Sequence, residues 1–423
     1  MNPSPAPATS FWYIPVASPL HDARSLSALL AGHEQALVGA GGHRGVGEVA
    51  DAPGVPFYFV QTGGTEHDVL RRHRSRIQQG RGGPLLLIAH PGHNSLPAAL
   101  EMLAAIQQEG RPGRIFLLKG KEDDRTLAEI TQTARALAAN NRLAQDRFGI
   151  IGPSSDWLVA SSPRAELVAR RFGMWVKEFA VDELRAYIAQ QPLPEDGPEF
   201  DLWDRAHGKD GLTREAFAQA VRVTRGLRAL VQNHQLSMLT LRCFDLVEKD
   251  GVTGCLALAL LADAGITAGC EGDIPSAVLL RWLWHLTGQA GWMANPSDVD
   301  VPKGELLLAH CTVPLGMVGG YRFRTHFESG IGLGIAGEFA SGPVTLLRLG
   351  GSNLDRWWGA EGTLVENRRA PDLCRTQVVV RVSPPAAGEL LSAPLGNHLV
   401  LVRGHVQGLF REAFIWSTPG RGA

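Results

Sequence analysis

The 423-residue sequence has no excess charge of either sign, with 41 Lys and Arg against 42 Asp and Glu. Such a chain exerts no long-range attraction on nucleic acid or an anionic membrane, so neither is expected as a partner, and any anionic ligand must be met by local groups. Cysteine is scarce: Cys243, Cys255, Cys270, Cys311 and Cys374 are odd in number, widely spaced and contain no C-x-x-C pair. That argues against a disulfide framework or a zinc ribbon and points to a reducing cytoplasm. The start of the chain lacks the plan of a signal peptide. Residues 1–10 are rich in Pro, Ala and Ser without a basic stretch, and prolines interrupt the apolar residues 11–20, so the first ten read as a flexible tail entering a strand.

No apolar run is both long and free of charge. The most apolar of the later ones, 254–270, carries Asp263 in its middle and has Glu248, Asp250 and Glu271 at its flanks, which predicts a buried globular helix and no membrane span. A phosphate-binding G-K-[ST] loop and a G-x-S-x-G nucleophile elbow are both absent. The glycine-rich stretch 39–45 is followed by no helix before Pro53 and reads as a flexible loop. There is no internal repeat.

What is present from Phe57 to about Gln190 is an alternation of short apolar runs with amphipathic stretches, the pattern of strands returning through helices to a parallel sheet. Strands are expected at 57–60, 84–89, 114–118 and 148–151, and helices at 95–108 and 125–138. Ligands of such sheets meet the loops that follow the strands, which places residues 62–66 and the loop His90-Pro91-Gly92-His93-Asn94-Ser95 where contacts form. A break falls near 140–148, and the Pro, Gly and Asp-rich segment 192–211 reads as an exposed connection before a helix at 213–232. Beyond Val301 come β-rich runs at 305–313, 344–349, 377–382, 398–402 and 410–416 without long helical patterns, as in an antiparallel barrel or sandwich.

The chemistry-bearing stretch is Gly269-Cys270-Glu271-Gly272-Asp273-Ile274-Pro275, with two carboxylates at a turn between an apolar segment and an amphipathic helix over 276–287. Asp273 is placed to cap that helix. Glu271 lies two residues earlier, beside the positive helix end, where a carboxylate is held ready for a metal or a proton; by position alone it is equally a capping carboxylate.

The Cys-Glu-Gly-Asp turn resembles the one that supplies the catalytic, metal-binding Glu in the L-fucose isomerase and L-arabinose isomerase superfamily. Residues 84–97 (PLLLIAHPGHNSLP), 151–161 (IGPSSDWLVAS), 241–244, 308–314, 326–330 (HFESG), 342–349 (GPVTLLRL) and 396–398 are similar, in the same order, to blocks of the shorter fucose-isomerase-like proteins. The resemblance implies interconversion of an aldose and a ketose through a cis-enediol, with a divalent metal, often manganese, that chelates sugar oxygens. A hard cation polarises the carbonyl while a carboxylate moves the proton between neighbouring carbons.

Carried over position by position, Glu271 matches the catalytic Glu and His310 matches a metal-binding His of the arabinose enzymes. Asn295 falls where a second acidic, catalytic ligand is expected; its amide oxygen can ligate but brings no charge and cannot act as a base. Asp298 and Asp300 lie near enough to substitute. The usual C-terminal His-His pair is His398-Leu399, so one imidazole is lost, and the site is short by two ligands if the second member of the pair is the one that ligates.

Further candidates for substrate contacts are His90, His93, Asn94, Trp157, His326 and Arg324. A His beside a turn more often satisfies a local hydrogen bond, a Trp more often packs in a core, and the pair Arg322 and Arg324, alternating on an extended stretch, is by default solvated although it would also clamp a phosphate or sulfonate.

Together these readings give an α/β protein: a flexible tail, two Rossmann-like domains with parallel sheets over 11–146 and 147–300, and a C-terminal antiparallel β-barrel over 301–423. The expected function is a cytoplasmic, metal-dependent isomerase of a pentose, 6-deoxyhexose or 6-substituted hexose, using manganese or another divalent ion. By resemblance it is a homo-oligomer, trimer or hexamer. The alternatives are a metal-depleted sugar-binding or regulatory protein on the same fold, and a related sugar epimerase.

Overall fold

A computed structural model describes residues 10–45 and 54–417, so the expected tail lies, but for Ser10, outside the described residues. These divide into two compact units, one formed by residues up to Asn141 with those from Leu409 on, the other by Arg142–Gly408.

In the first unit, β1 (Phe11–Val16), β2 (Gly42–Arg44), β3 (Phe57–Val60), β4 (Leu85–Ala89) and β5 (Gly113–Leu117) form a parallel sheet of order β2-β1-β3-β4-β5. Helices α1 (Ala23–Gly39), α2 (Glu66–Gln78) and α3 (Ser95–Gln108) lie between its strands, and α4 (Asp124–Leu143) follows β5. Side chains alternate across a strand, so Leu86 and Ile88 enter one core while Leu85, Leu87 and Ala89 enter the other; this two-sided burial makes β4 apolar throughout.

The second unit opens with β6 (Arg147–Ile151), α5 (Ala165–Phe172), β7 (Trp175–Phe179), α6 (Val181–Ala189), α7 (Phe200–Arg205), β8 (Lys209–Asp210) and α8 (Arg214–His234). There follow β9 (Met238–Leu241), α9 (Phe244–Asp250), α10 (Cys255–Asp263), β10 (Thr267–Cys270) and α11 (Ile274–Thr287). A parallel sheet of order β10-β9-β6-β7 results. Next come β11 (Trp292–Asp300), β12 (Glu305–His310), the hairpin of β13 (Gly320–Arg324) and β14 (Gly334–Glu338), then β15 (Gly342–Gly350), β16 (Arg356–Asn367), β17 (Thr376–Arg381), α12 (Pro384–Ser392) and β18 (Leu399–Arg403). The last helix, α13 (Gln407–Ser417), belongs from Leu409 on to the first unit. A closed antiparallel barrel runs β11-β12-β17-β16-β15-β18, and β14-β13-β8 form a small sheet. Helix α11 packs against β9 and β10 and also against β11, β15 and β18, which joins sheet to barrel. It is buried nearly all round, and its two basic residues Arg281 and His285 meet the buried Asp146 at 2.7 Å each.

The α/β class, the parallel sheets and the antiparallel barrel agree with the sequence reading. Several local expectations do not. Residues 410–416 were expected as a strand but form α13, because Phe410 and Ala413, three apart, are the pair that is buried. The run 254–270 is two elements, α10 and β10, divided at Gly265 with φ 82°. Segment 192–211 is no simple exposed connection: Glu199 and Phe200 are buried, with Glu199 held between Arg225 and Arg228 at 3.0 Å each. The glycine-rich 39–45 includes β2, paired with β1. The barrel already begins at β11, ahead of Val301. Among the described residues no helix is long and apolar enough to cross a membrane.

One close approach inside the second unit is testable. A Cβ on Gly226 of α8 would lie 2.7 Å from Ile188 Cα and 2.8 Å from Ile188 N, at the end of α6. Alanine favours a helix over glycine by about 1 kcal/mol, yet backbone overlap of this kind forces the helices apart. Gly226→Ala is therefore expected to lower the urea unfolding midpoint; an unchanged or raised midpoint contradicts the packing.

Candidate metal centre

The turn after β10 is built by two successive left-handed residues, Glu271 (φ 62°) and Gly272 (φ 70°). Glycine is required at 272, since a Cβ there would come within 2.7 Å of Pro153 O and Ser154 Cα. Glutamate in this conformation is uncommon and is kept only where its surroundings over-determine it. They do so here: Ser155 N donates to Glu271 O (2.9 Å), Ser154 Oγ to Gly272 O (2.8 Å) and Gly272 N to Leu241 O (3.1 Å). Asp273 then caps α11, accepting from Ser276 N at 2.8 Å, as its position in the sequence predicted.

The barrel brings up the other side of the site. Residues paired in register are Asn295 with Ala309 on β12 and Ala294 with Leu399 on β18, so His310 and His398, each next to a paired residue, flank β11 at one end of the barrel. Glu271 Oε1 lies 3.6 Å from His310 Nε2 and 3.4 Å from His398 Nε2. One donor atom from each of the three lies within 4.8 Å of the others, and all three residues are buried. At this spacing a carboxylate and two imidazoles can hold a divalent metal.

The fit is sharpest at His398. Its Nδ1 stands 2.8 Å from Asp273 Oδ2, which fixes a proton there and aims Nε2 at Glu271. Nε2 itself is buried without a hydrogen-bond partner, its 3.4 Å approach to Glu271 being an electrostatic contact only. His310 is held differently. Thr312 N donates to its Nδ1 at 3.3 Å, which places the proton of the neutral ring on Nε2. A metal on that nitrogen must move the proton to Nδ1 and give up this long contact, so His310 is the weaker of the two imidazole donors.

Charge is arranged around the same atoms. Burial works to raise the Glu271 carboxyl, but the imidazoles of His310 and His398, 3.6 and 3.4 Å from its Oε1, overcome it and hold it well below the usual carboxylate range. Asp273, fully buried, is likewise opposed by desolvation and held down by Arg348 and His398. Desolvation pushes His398 toward neutrality, but its hydrogen bond to Asp273 and the nearby charge of Glu271 prevail, so its pKa is raised to about 9.

Glu271 also opens onto a cavity of about 250 Å³ that it lines with Trp157, Phe244, Asn295, Glu328 and Asn397. Trp157 Nε1 donates to Glu271 Oε2 at 2.7 Å and its ring meets Phe244 edge-on, 4.9 Å between centroids. Asn295 faces this cavity, 3.5 Å from the Asn397 amide. Asp298 and Asp300 belong neither to the cavity nor to the donor cluster: Asp298 accepts from Val299 N and Asp300 pairs with Lys303. His326 is buried beneath Phe244, with 5.5 Å between centroids, and does not line the cavity. Arg324 lines a different cavity.

His90, His93 and Asn94 belong to the other compact unit. There His90 is buried with both ring nitrogens engaged, by Gln61 O (2.9 Å) and Gly92 N (3.2 Å), and burial lowers its pKa. His93 and Asn94 hold left-handed conformations at the start of α3. The sequence reading passed over Glu328, Phe244 and Asn397, although Glu328 stands inside the HFESG block and was open to notice as a carboxylate within a candidate segment. No protein-family model matches the chain, and a search of curated proteins finds no significant match.

Two outcomes test this centre. In the metal-free protein His398 holds a second proton below about 9, which a divalent ion on Nε2 must displace. Affinity for manganese is therefore expected to rise about tenfold per pH unit across neutral pH and to level off near that value; calorimetry in buffers of different ionisation heat reads the proton released, and pH-independent affinity contradicts the assignment. Separately, Arg348 is 1% exposed and its partner Asp273 0%. Arg348→Met strands a buried carboxylate and is expected to cost about 3–5 kcal/mol in urea unfolding, far beyond the effect of removing the exposed Arg125.

Proposed function

We propose that the chain is a metal-dependent aldose–ketose isomerase of the L-fucose and L-arabinose isomerase type, with two Rossmann-like domains and a barrel, acting on an open-chain pentose, 6-deoxyhexose or 6-substituted hexose. The single observation that carries this reading is that Glu271 belongs both to the buried donor cluster and to the cavity wall. Glu271, His310 and His398 would hold manganese or another divalent ion, whose contribution is to polarise the carbonyl and stabilise developing negative charge.

The chain's own groups divide the remaining tasks. Trp157, a residue 49% exposed, pins one oxygen of Glu271 and offers an indole ring on which the apolar face of a sugar can lie. Asn295 and Asn397 present amides to hydroxyls within the cavity. A carboxylate held down by two imidazoles is a weak base, so Glu271 serves first as ligand. Glu328 is the second carboxylate of the cavity: burial raises it, His326 opposes, and the charge of Glu271 raises it further. Two carboxylates pushed in opposite directions suit one for permanent charge and the other for carrying the proton between neighbouring carbons.

Manganese-loaded protein incubated in D₂O with a panel of aldoses and ketoses is expected to incorporate deuterium at C1 or C2 of at least one, read by NMR. Glu328→Gln should retain manganese and lower kcat by about 10²–10⁴-fold, whereas Glu271→Gln should lose both metal and exchange. Folded, metal-loaded protein that exchanges no sugar in the panel overturns the reading.

A further inference from the structure

A second cavity, of about 270 Å³, is lined by five arginines, Arg322, Arg324, Arg368, Arg369 and Arg375, against two carboxylates, Asp210 and Glu338. It shares no lining residue with the cavity at Glu271. Its construction follows from strand register. Arg322 and Arg324 are two apart on β13 and so share one face, and the residues opposite them on β14 are Ala336 and Gly334, which leave the space above the hairpin open. The loop from β16 to β17 supplies the other three. Arg375 is fixed in that loop: its Nε donates to Thr325 O at 2.8 Å, and its stem lies on Gly334, where a Cβ would come 3.2 Å from Arg375 Cγ.

The pairing of charges is incomplete. Arg322 meets Asp210 at 3.1 Å, Arg369 meets Glu338, and Arg368 turns to Glu366, 2.9 Å away and outside the lining. Arg324 and Arg375 have no carboxylate partner among the described residues. Burial, then the charge of Arg324, lower Arg375 from the ordinary guanidinium range, so these two groups act on one another unfavourably. Both acids of the cavity bond to their own arginines, Asp210 to Arg322 and Glu338 to Arg369; the charge of Asp210 also reaches Arg324, but five guanidinium groups against two carboxylates leave the lining with a positive surplus. Guanidinium forks match the oxygens of tetrahedral oxyanions in a way that solvated ammonium groups do not.

The geometry points to a binding site for a tetrahedral oxyanion of the phosphate or sulfate class, free or as a monoester, held by Arg324 and Arg375 with Arg322 and Arg369 at its rim. It is independent of the isomerase reading, since no residue is common to the two cavities.

The test is calorimetric titration of the full chain at low ionic strength with inorganic phosphate, inorganic sulfate and glucose 6-phosphate. Saturable binding tighter than about 1 mM is expected for at least one. The double substitution Arg324→Gln with Arg375→Gln should weaken it by more than about tenfold, and Arg368→Gln by less than about threefold. Glucose 6-phosphate binding more tightly than phosphate assigns the site to a monoester, and equal affinity assigns it to the free anion; either supports the proposal. Glu271→Gln should leave the phosphate and sulfate titrations unchanged, which separates this site from the metal centre. Phosphate should also raise the thermal midpoint of the wild type and leave that of a folded double variant in place. If the double variant fails to fold, Arg324→Lys, which keeps the charge and loses the fork, must still weaken binding. Absence of saturable binding by all three anions, or equal weakening by every arginine substitution, overturns the proposal.

Discussion

The buried carboxylate of Asp273 is the interaction on which the second unit turns. It caps α11 through Ser276 N, pairs with Arg348 on β15 and fixes the ring of His398 at the start of β18. Three elements distant in sequence thus share one anion that water does not reach. Such a group is costly unless every lone pair is met, which makes alternative arrangements of sheet, helix and barrel expensive as well. Arg348 completes the set by donating to Ser161 and Ser276 and approaching Leu395 O. The same anion therefore secures the fold and selects the ring nitrogen that His398 presents to the site.

From this anchor the donor cluster follows almost mechanically. The parallel sheet ends at Cys270, the left-handed pair Glu271 and Gly272 reverses the chain, and α11 departs along the barrel. Barrel register sets the histidines on either side of β11 without any loop having to be ordered for the purpose. A site carried by strand ends and a capped helix is held more tightly than one on flexible connections. Backbone strain at Glu271 is the local cost, and it falls on the residue whose side chain must leave the sheet direction to face imidazoles on one oxygen and indole on the other.

Much of this was legible in the sequence because periodicity and cap chemistry are local. Helix α3 was bounded correctly from its apolar spacing, and the cap at Asp273 from one residue type before Pro275. Glu271 and its two histidines were reached through an ordered set of blocks, not from spacing, since residues 271, 310 and 398 carry no pattern that joins them; a barrel register does. The failures were of the same origin. Segment 410–416 has enough aromatics for a strand and enough i, i+3 spacing for a helix, and only tertiary burial decides. The Arg324 cavity needed four strands and a loop to converge, so the sequence offered two arginines where the fold assembles five. His90 and His93 drew notice as imidazoles in a loop after a strand, whereas His90 spends both nitrogens on backbone groups of its own unit.

Asn295 changes the charge of the site more than its number of donors. An amide there keeps an oxygen in the cavity wall but leaves Glu271 as the only carboxylate of the cluster, with the second acid, Glu328, placed on the β13–β14 loop. Had position 295 been acidic, its charge would add to that of Glu271 in lifting Glu328, and two anions would compete for the same imidazoles. With a neutral residue at 295 the two carboxylates differ in surroundings: Glu271 is buried beside ring nitrogens and held down, whereas Glu328 is exposed and pushed upward, in part by the charge of Glu271. Under the isomerase proposal this difference would let one carboxylate stay ionised while the other carries the proton, since a single carboxylate cannot be both firmly ionised and ready to exchange a proton near neutrality.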